Sequence, residues 1–456
     1  MKFSYCSLII GCLLFCLFSC DNDEDLNHDP GFELNFSEEL ISFDTLFSGI
    51  PSTTKQLKVY NRSSQSVLID EIRLENSDLG YRLNINGVEA SSAKQILISA
   101  KDSLYIFIEI SAHPDNQDDP RLIEDQIHFN FNSKVQKFKL QTWAQDVIRF
   151  ENENLLSQTW TGKRPYFIDE NLFLQQNQTL TIEAGTKVYF QKNAGLHIHG
   201  DLNIQGSFSE PVFMGAHRLE ELYDNVPGQW EGLYFYDDSK NNRISHLQME
   251  NAINGIVALA DVNTNNNLQI DYSRFFNLSA HGIRISNFNL KMNDVLVSNC
   301  GEQAILLEGQ GDFEIYHSDF VNFWQLALRM NPCFSYLANE NVDRELRLGN
   351  CIIWGSKSNE FEYNSTSSIH IENTLLRLSD AIQDRYSGIF ENCIFNTDPK
   401  FVNRDEHDYQ LKETSILIDK AKPGIATLFP LDFNGKSRTS DTAPDIGSFE
   451  YSVPKE

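Results

Sequence analysis

Two groups of side chains in this sequence have the chemistry to act on a ligand. His246, Tyr272, Asp294 and His317 recur at steps of 26, 22 and 23 residues. Imidazole, phenol and carboxylate in one column would transfer protons or hydrogen-bond a hydroxyl-rich ligand. The adjacent carboxylates Asp237 and Asp238 raise a second chemistry, because glycoside cleavage uses two acids flanking the scissile bond. Trp230, Tyr234, Tyr236, Trp324 and Trp354 add rings on which a sugar face would stack. What each group does depends on the elements that hold it and the face it occupies.

Those elements are legible in an internal repeat. Seven segments, 242–251, 268–277, 290–299, 313–322, 346–355, 369–378 and 388–397, align on apolar-x-apolar-x-x-small/apolar-x-apolar. The third position reads Ile244, Ile270, Met292, Ile315, Leu348, Ile371 and Phe390, and the eighth reads Met249, Phe275, Val297, Phe320, Ile353, Leu376 and Phe395. A helical repeat would space apolar residues three and four apart. Spacing of two, then a break, then two again is one turn of a parallel β-helix, its rungs stacked about 4.8 Å apart.

His246, Tyr272, Asp294 and His317 fall at the fifth position, continued by Asn350, Asn373 and Asn392. An Asn there takes a left-handed corner and stacks its amide on the next rung's. The column is either a polar corner or a proton-transfer and sugar-binding ladder, and both readings place it on the outer surface. Cys351, Thr374 and Cys393 share the sixth position and fill an inside corner. Two rungs, roughly 9.6 Å, separate the two cysteines, too far for a disulfide. Tyr234 and Tyr236 flank Phe235 and are expected outward, whereas Trp324 and Trp354 are expected on an apolar face. The 33-residue step between Ile315 and Leu348 predicts that residues 330–345 loop out beside the lower end of the column and wall a groove.

Residues 180–216 with 228–235 resemble the opening rungs of right-handed parallel β-helix proteins of the pectin-lyase-like superfamily. Residues 398–451 resemble the terminal module of bacterial surface β-helix proteins, ending in Asp445-Ile446-Gly447-Ser448-Phe449-Glu450-Tyr451. The resemblance implies a right-handed β-helix over 148–397 with a capping module at 398–456. It names no activity, since this fold hosts lyases, hydrolases, adhesins and binding proteins. His281-Gly282, Arg284-Ile285 and Asn396-Thr397-Asp398 are similar to fragments of the polygalacturonase site. Here the first two nearly fuse on one strand, the third follows them instead of preceding, and Asp237-Asp238 sits in a turn. No catalytic residue is expected from these pieces.

Residues 34–147 alternate apolar and polar with period two in short runs such as 55–61, 103–111 and 136–144. That is the pattern of an antiparallel, immunoglobulin-like β-sandwich. The acidic loop 114–120 is a weak calcium candidate, lacking the spaced ligands and Gly of a calcium loop. No other cofactor or metal is expected. Net charge is −27, which argues against a nucleic-acid partner.

The first residues set the location. An apolar run from Leu8 to Phe18 is too short to span a bilayer, which needs roughly 20 residues, and it reads as a signal peptide over 1–19. Leu17-Phe18-Ser19-Cys20 resembles a bacterial lipobox, which implies lipidation of Cys20. Asp21, Asp23, Glu24 and Asp25 then form an acidic tether over 20–33, similar to the export tag of surface lipoproteins in one Gram-negative phylum. The expectation is an all-β protein on the outer membrane, lipid-anchored and facing the exterior. It is read as a non-catalytic binding or structural module for glycans, with His246, Tyr272, Asp294, His317, Tyr234 and Tyr236 as candidate contacts. The alternative is a polysaccharide lyase or glycoside hydrolase.

Overall fold

A computed structural model describes residues 25–261, 265–337, 345–364, 368–440 and 442–452. Cys20 and the acidic residues 21–24 lie outside the described residues. The chain divides into two compact units, Met1–Asp146 and Val147–Glu456. Among the described residues no helix is long and apolar enough to cross a membrane.

The first unit is a β-sandwich of two five-stranded sheets. One is built around Lys55–Tyr60, Ser103–Ile110 and Tyr81–Ile85. The other orders Leu40–Phe47, Lys134–Gln145, Arg121–Phe131, Val67–Leu74 and Ser92–Ile98. The alternation does what period two requires. Leu57, Val59, Ile106 and Ile108 are fully buried, while Tyr105 and Phe107 between them are exposed. In the loop at 114–120, Asp115, one of the three Asp considered for calcium, pairs with Arg121.

The second unit is a parallel β-helix whose described residues form three walls of 11, 9 and 10 strands, their neighbours paired in parallel. Its registers reproduce the sequence alignment residue by residue. Ile244, Ile270, Met292, Ile315, Leu348, Ile371 and Phe390 pair in succession up the third wall. Met249, Phe275, Val297, Phe320, Ile353, Leu376 and Phe395 do the same up the first. Nearly all point into one continuous apolar core. The fifth-position residues from His246 to Asn392 all adopt left-handed backbone, φ between 43° and 57°. At the sixth position Ser273, Ser318 and Thr374 hydroxyls accept N–H groups from the preceding rung. Cys351 and Cys393 are free thiols, as are Cys300 and Cys333.

Two sequence expectations change here. Of the expected loop 330–345, residues 338–344 lie outside the described residues, and 330–337 do not all leave the coil. Phe334–Leu337 is a strand of the second wall, with Phe334 and Tyr336 fully buried. Among the described residues of this step, 323–332 lie outside the strands, and Arg329 ties them down through two bonds to buried Glu360 at 2.6 and 2.8 Å. The second change concerns the end of the chain. Residues 398–452 lie along the flank of the coil. On the first wall, Leu296, Val321, Ile352 and Leu375 alternate with the inward residues and so point outward. They form a second core with Tyr409, Leu417 and Ile446.

Candidate functional site

The fifth-position column is one corner with two fates. At its upper end His246 and Tyr272 stack at 4.9 Å and are half-buried, with the Phe208 ring edge-on to both. Burial pushes the Tyr272 hydroxyl up to about 12 and lowers the His246 imidazole.

One rung below, the flank segment covers the column. Asp294 and His317 are wholly buried, which overturns their expected outward position. The Arg438 guanidinium reaches in to Asp294 and also holds Glu450 at 2.6 Å. Burial raises the Asp294 carboxyl to about 7 against the pull of Arg438, and Glu450 likewise. Asp319, also buried and raised to about 7, accepts the backbone N–H and hydroxyl of Ser448.

His317 Nδ1 faces the carbonyl of Gly447 at 3.2 Å, and its Nε2 faces the Asn350 amide at 2.9 Å. These partners select the neutral ring with the proton on Nδ1. Burial holds its pKa well below the ordinary imidazole value. Gly447 sits at φ 110°, and a Cβ there would meet Asp319 and Ile352 at 2.8 Å. The D-I-G-x-x-E-Y-like motif is thus the clamp that closes the lower corner. Asp294 and His317 cannot touch a ligand in this state.

Tyr234 and Tyr236 are half-exposed on the outer face of the second wall, with Phe235 buried between them. They join residues the sequence reading did not single out. Phe173, His197 and Tyr234 stack up neighbouring rungs at 4.8 and 5.1 Å, and Tyr236 stacks on His199 at 4.3 Å. Hydrogen bonds set each tip. His197 Nδ1 meets the Tyr236 hydroxyl at 2.8 Å, His199 Nδ1 meets Asp238 at 2.9 Å, and the Asn254 amide donates to Tyr234 at 3.2 Å. Rings stacked on one another hide their faces, so this surface offers edges and polar tips. The signal was present as His197-x-His199 and Tyr234-x-Tyr236, which period two sends to one face.

The other candidate features scatter. Trp230 is in the core, stacked on Phe190 at 4.1 Å. Trp354 lies on the outer side of the first wall, buried against the flank segment with Arg377 over its ring at 5.1 Å. Trp324 is half-buried. His281 lies beside the first-wall strand Arg274–Leu278, and Asn396 follows the last first-wall strand five spacings below, roughly 24 Å away. The polygalacturonase-like fragments therefore assemble no site. His370, Glu372 and Glu391 bring ligand atoms within 4.8 Å of one another, but Glu372 is already bonded to the Lys422 ammonium.

No family model matches the chain, and no curated protein matches it. One similar solved structure is described as showing the details of glycolipid glycan hydrolysis by a family 123 glycoside hydrolase from Clostridium perfringens. It shares 10% identity over 25% of this chain and 26% of that one, with a TM-score of 0.18. The match spans about a quarter of the hydrolase chain, and likeness at this level carries no argument.

Proposed function

We propose that the protein is a lipid-anchored module of the outer cell surface that binds glycans without cleaving them. One observation supports this above the rest. On the outer face of the second wall, His199, Tyr234, Tyr236 and Asn254 present oriented polar tips on a rigid coil, with His197 fixing the Tyr236 hydroxyl from beneath. A glycan offers a matching density of hydroxyls, and preorganised donors and acceptors lose little entropy on meeting them. The lipobox-like run ending at Cys20 and the acidic tether support the anchor and the surface location.

The test is removal of two oxygen atoms. Tyr234→Phe with Tyr236→Phe keeps both rings and should leave the melting curve in place. Retention on immobilised neutral glycans should fall several-fold. Unchanged retention would sink the reading.

The dyad of Asp238 and His199 favours a second reading. With Nδ1 donated to Asp238, the His199 Nε2 is left to accept a proton, as a general base requires. New reducing ends or unsaturated products, lost on His199→Gln, would make this face an active site.

A further inference from the structure

Where the flank segment meets the first wall it leaves an open cleft of about 890 Å³, near the upper end of the range of small-molecule sites. Four cations line it, Arg377, Lys400, Arg404 and Lys412, against two carboxylates, Asp398 and Asp405, a balance of +2. The backbone N–H of Lys400 holds the Asp398 carboxyl below its usual range, so it is counted as ionised. The rest of the chain is strongly acidic, and this local inversion of sign needs a reason.

The cations are placed, not merely present. Arg377 lies over Trp354 at 5.1 Å and donates to the Gly355 carbonyl, while Arg404 lies over Phe323 at 5.0 Å. Each guanidinium sits over a ring, which limits its freedom. Arg404 also pairs with Asp405 at 3.2 Å and Lys400 with Asp398 at 3.0 Å. The two carboxylates thus neutralise two of the four cations, and the excess charge rests on Arg377 and Lys412. Lys400 and Lys412 are exposed, and the Lys412 N–H bonds the Lys400 carbonyl, so both ammonium groups spring from one paired backbone.

We propose that this cleft is a second ligand site, taking an anionic saccharide whose carboxylate or sulfate groups meet Arg377, Arg404 and the two lysines. The saccharide character rests on the proposed function, and the negative charge is inferred from the cleft alone. In a chain of net charge −27, a cleft with a positive balance is a local exception that would steer an acidic polymer toward it.

Affinity electrophoresis of the full chain tests this, through gels containing polygalacturonate, dextran sulfate, neutral dextran or single-stranded DNA. Retardation by polygalacturonate or dextran sulfate, reduced by added salt and clearly stronger than with dextran or DNA, is expected. The more strongly retarding of the two names the anionic group. The triple variant Arg377→Gln, Arg404→Gln, Lys412→Gln should weaken binding about tenfold, as the loss of three solvent-reachable charge contacts would. Because Arg377 also packs on Trp354, Lys400→Gln with Lys412→Gln, both at the surface, should give about a threefold loss with an unchanged melting curve. Equal retardation by all four polymers, preference for DNA, or full binding by both variants would overturn the proposal. The Tyr234→Phe, Tyr236→Phe variant should keep acidic-polymer binding, so failure at either site is read separately.

Discussion

His246 and His317 hold the same repeat position, on the same corner, with left-handed φ of 55° and 45°. His246 is half-buried beside Tyr272 and Phe208, whereas His317 is wholly buried beneath Gly447. The local backbone is set by the repeat and is the same in both. The environment is set by a segment that arrives 130 residues later for His317, the separation of its bond to Gly447. Identical local geometry therefore says nothing about which member of a solenoid column can meet a ligand.

The comparison is most sharply broken at Arg438. Its side chain is fully buried, as are the carboxylates of Asp294 and Glu450 that it joins. Arg438→Ala would strand both acids without a counter-charge and should cost about 3–5 kcal/mol in chemical denaturation. A loss under about 1 kcal/mol would mean the clamp is not closed in solution.

The paired histidines come next. His317→Ala leaves one Asn350 amide N–H and the Gly447 carbonyl unpaired in a buried corner and should cost about 2–4 kcal/mol. His246→Ala, at the open end of the same column, should stay below about 1 kcal/mol. Similar losses at the two positions would remove the distinction between covered and open corner.

The smallest effect is a pH slope. His317 has a folded pKa well below its unfolded value, so below about pH 6.5 the unfolded chain binds a proton that the native site refuses. Its contribution to stability is present above that pH and is lost as pH falls. The raised carboxyls of Asp294, Asp319 and Glu450 act in the opposite sense, gaining protons preferentially in the native state between about pH 4 and 7. His317→Asn keeps a residue that tolerates the left-handed corner and removes only the imidazole titration. Its stability should fall less than wild type between pH 7 and pH 5, and an identical slope would show that His317 takes up its proton as readily in the native state as in the unfolded chain.

The repeat was legible over the seven segments from 242 to 397, and the coil extends beyond them into rungs before 242. Apolar spacing of two is a direct record of which side chains point inward, and the registers of both apolar columns follow it. The left-handed corner was readable from Asn350, Asn373 and Asn392 because Asn tolerates positive φ where most residues do not. Tyr234 and Tyr236 could be placed outward for the same reason, since Phe235 between them had to face the core.

What the sequence determined by itself was thus the coil: strand spacing, inward residues, and the corner conformation, all consequences of short-range backbone geometry. Which outward residues are covered was decided only in three dimensions. Leu296, Val321, Ile352 and Leu375 alternate with core residues in a way that any exposed or covered wall would show. Nothing near Asp294 in the chain announces Arg438, its partner 144 residues away. Burial of an outer face depends on a distant segment finding complementary apolar surface and charge, and that is a property of the folded chain, with no period for a sequence to carry.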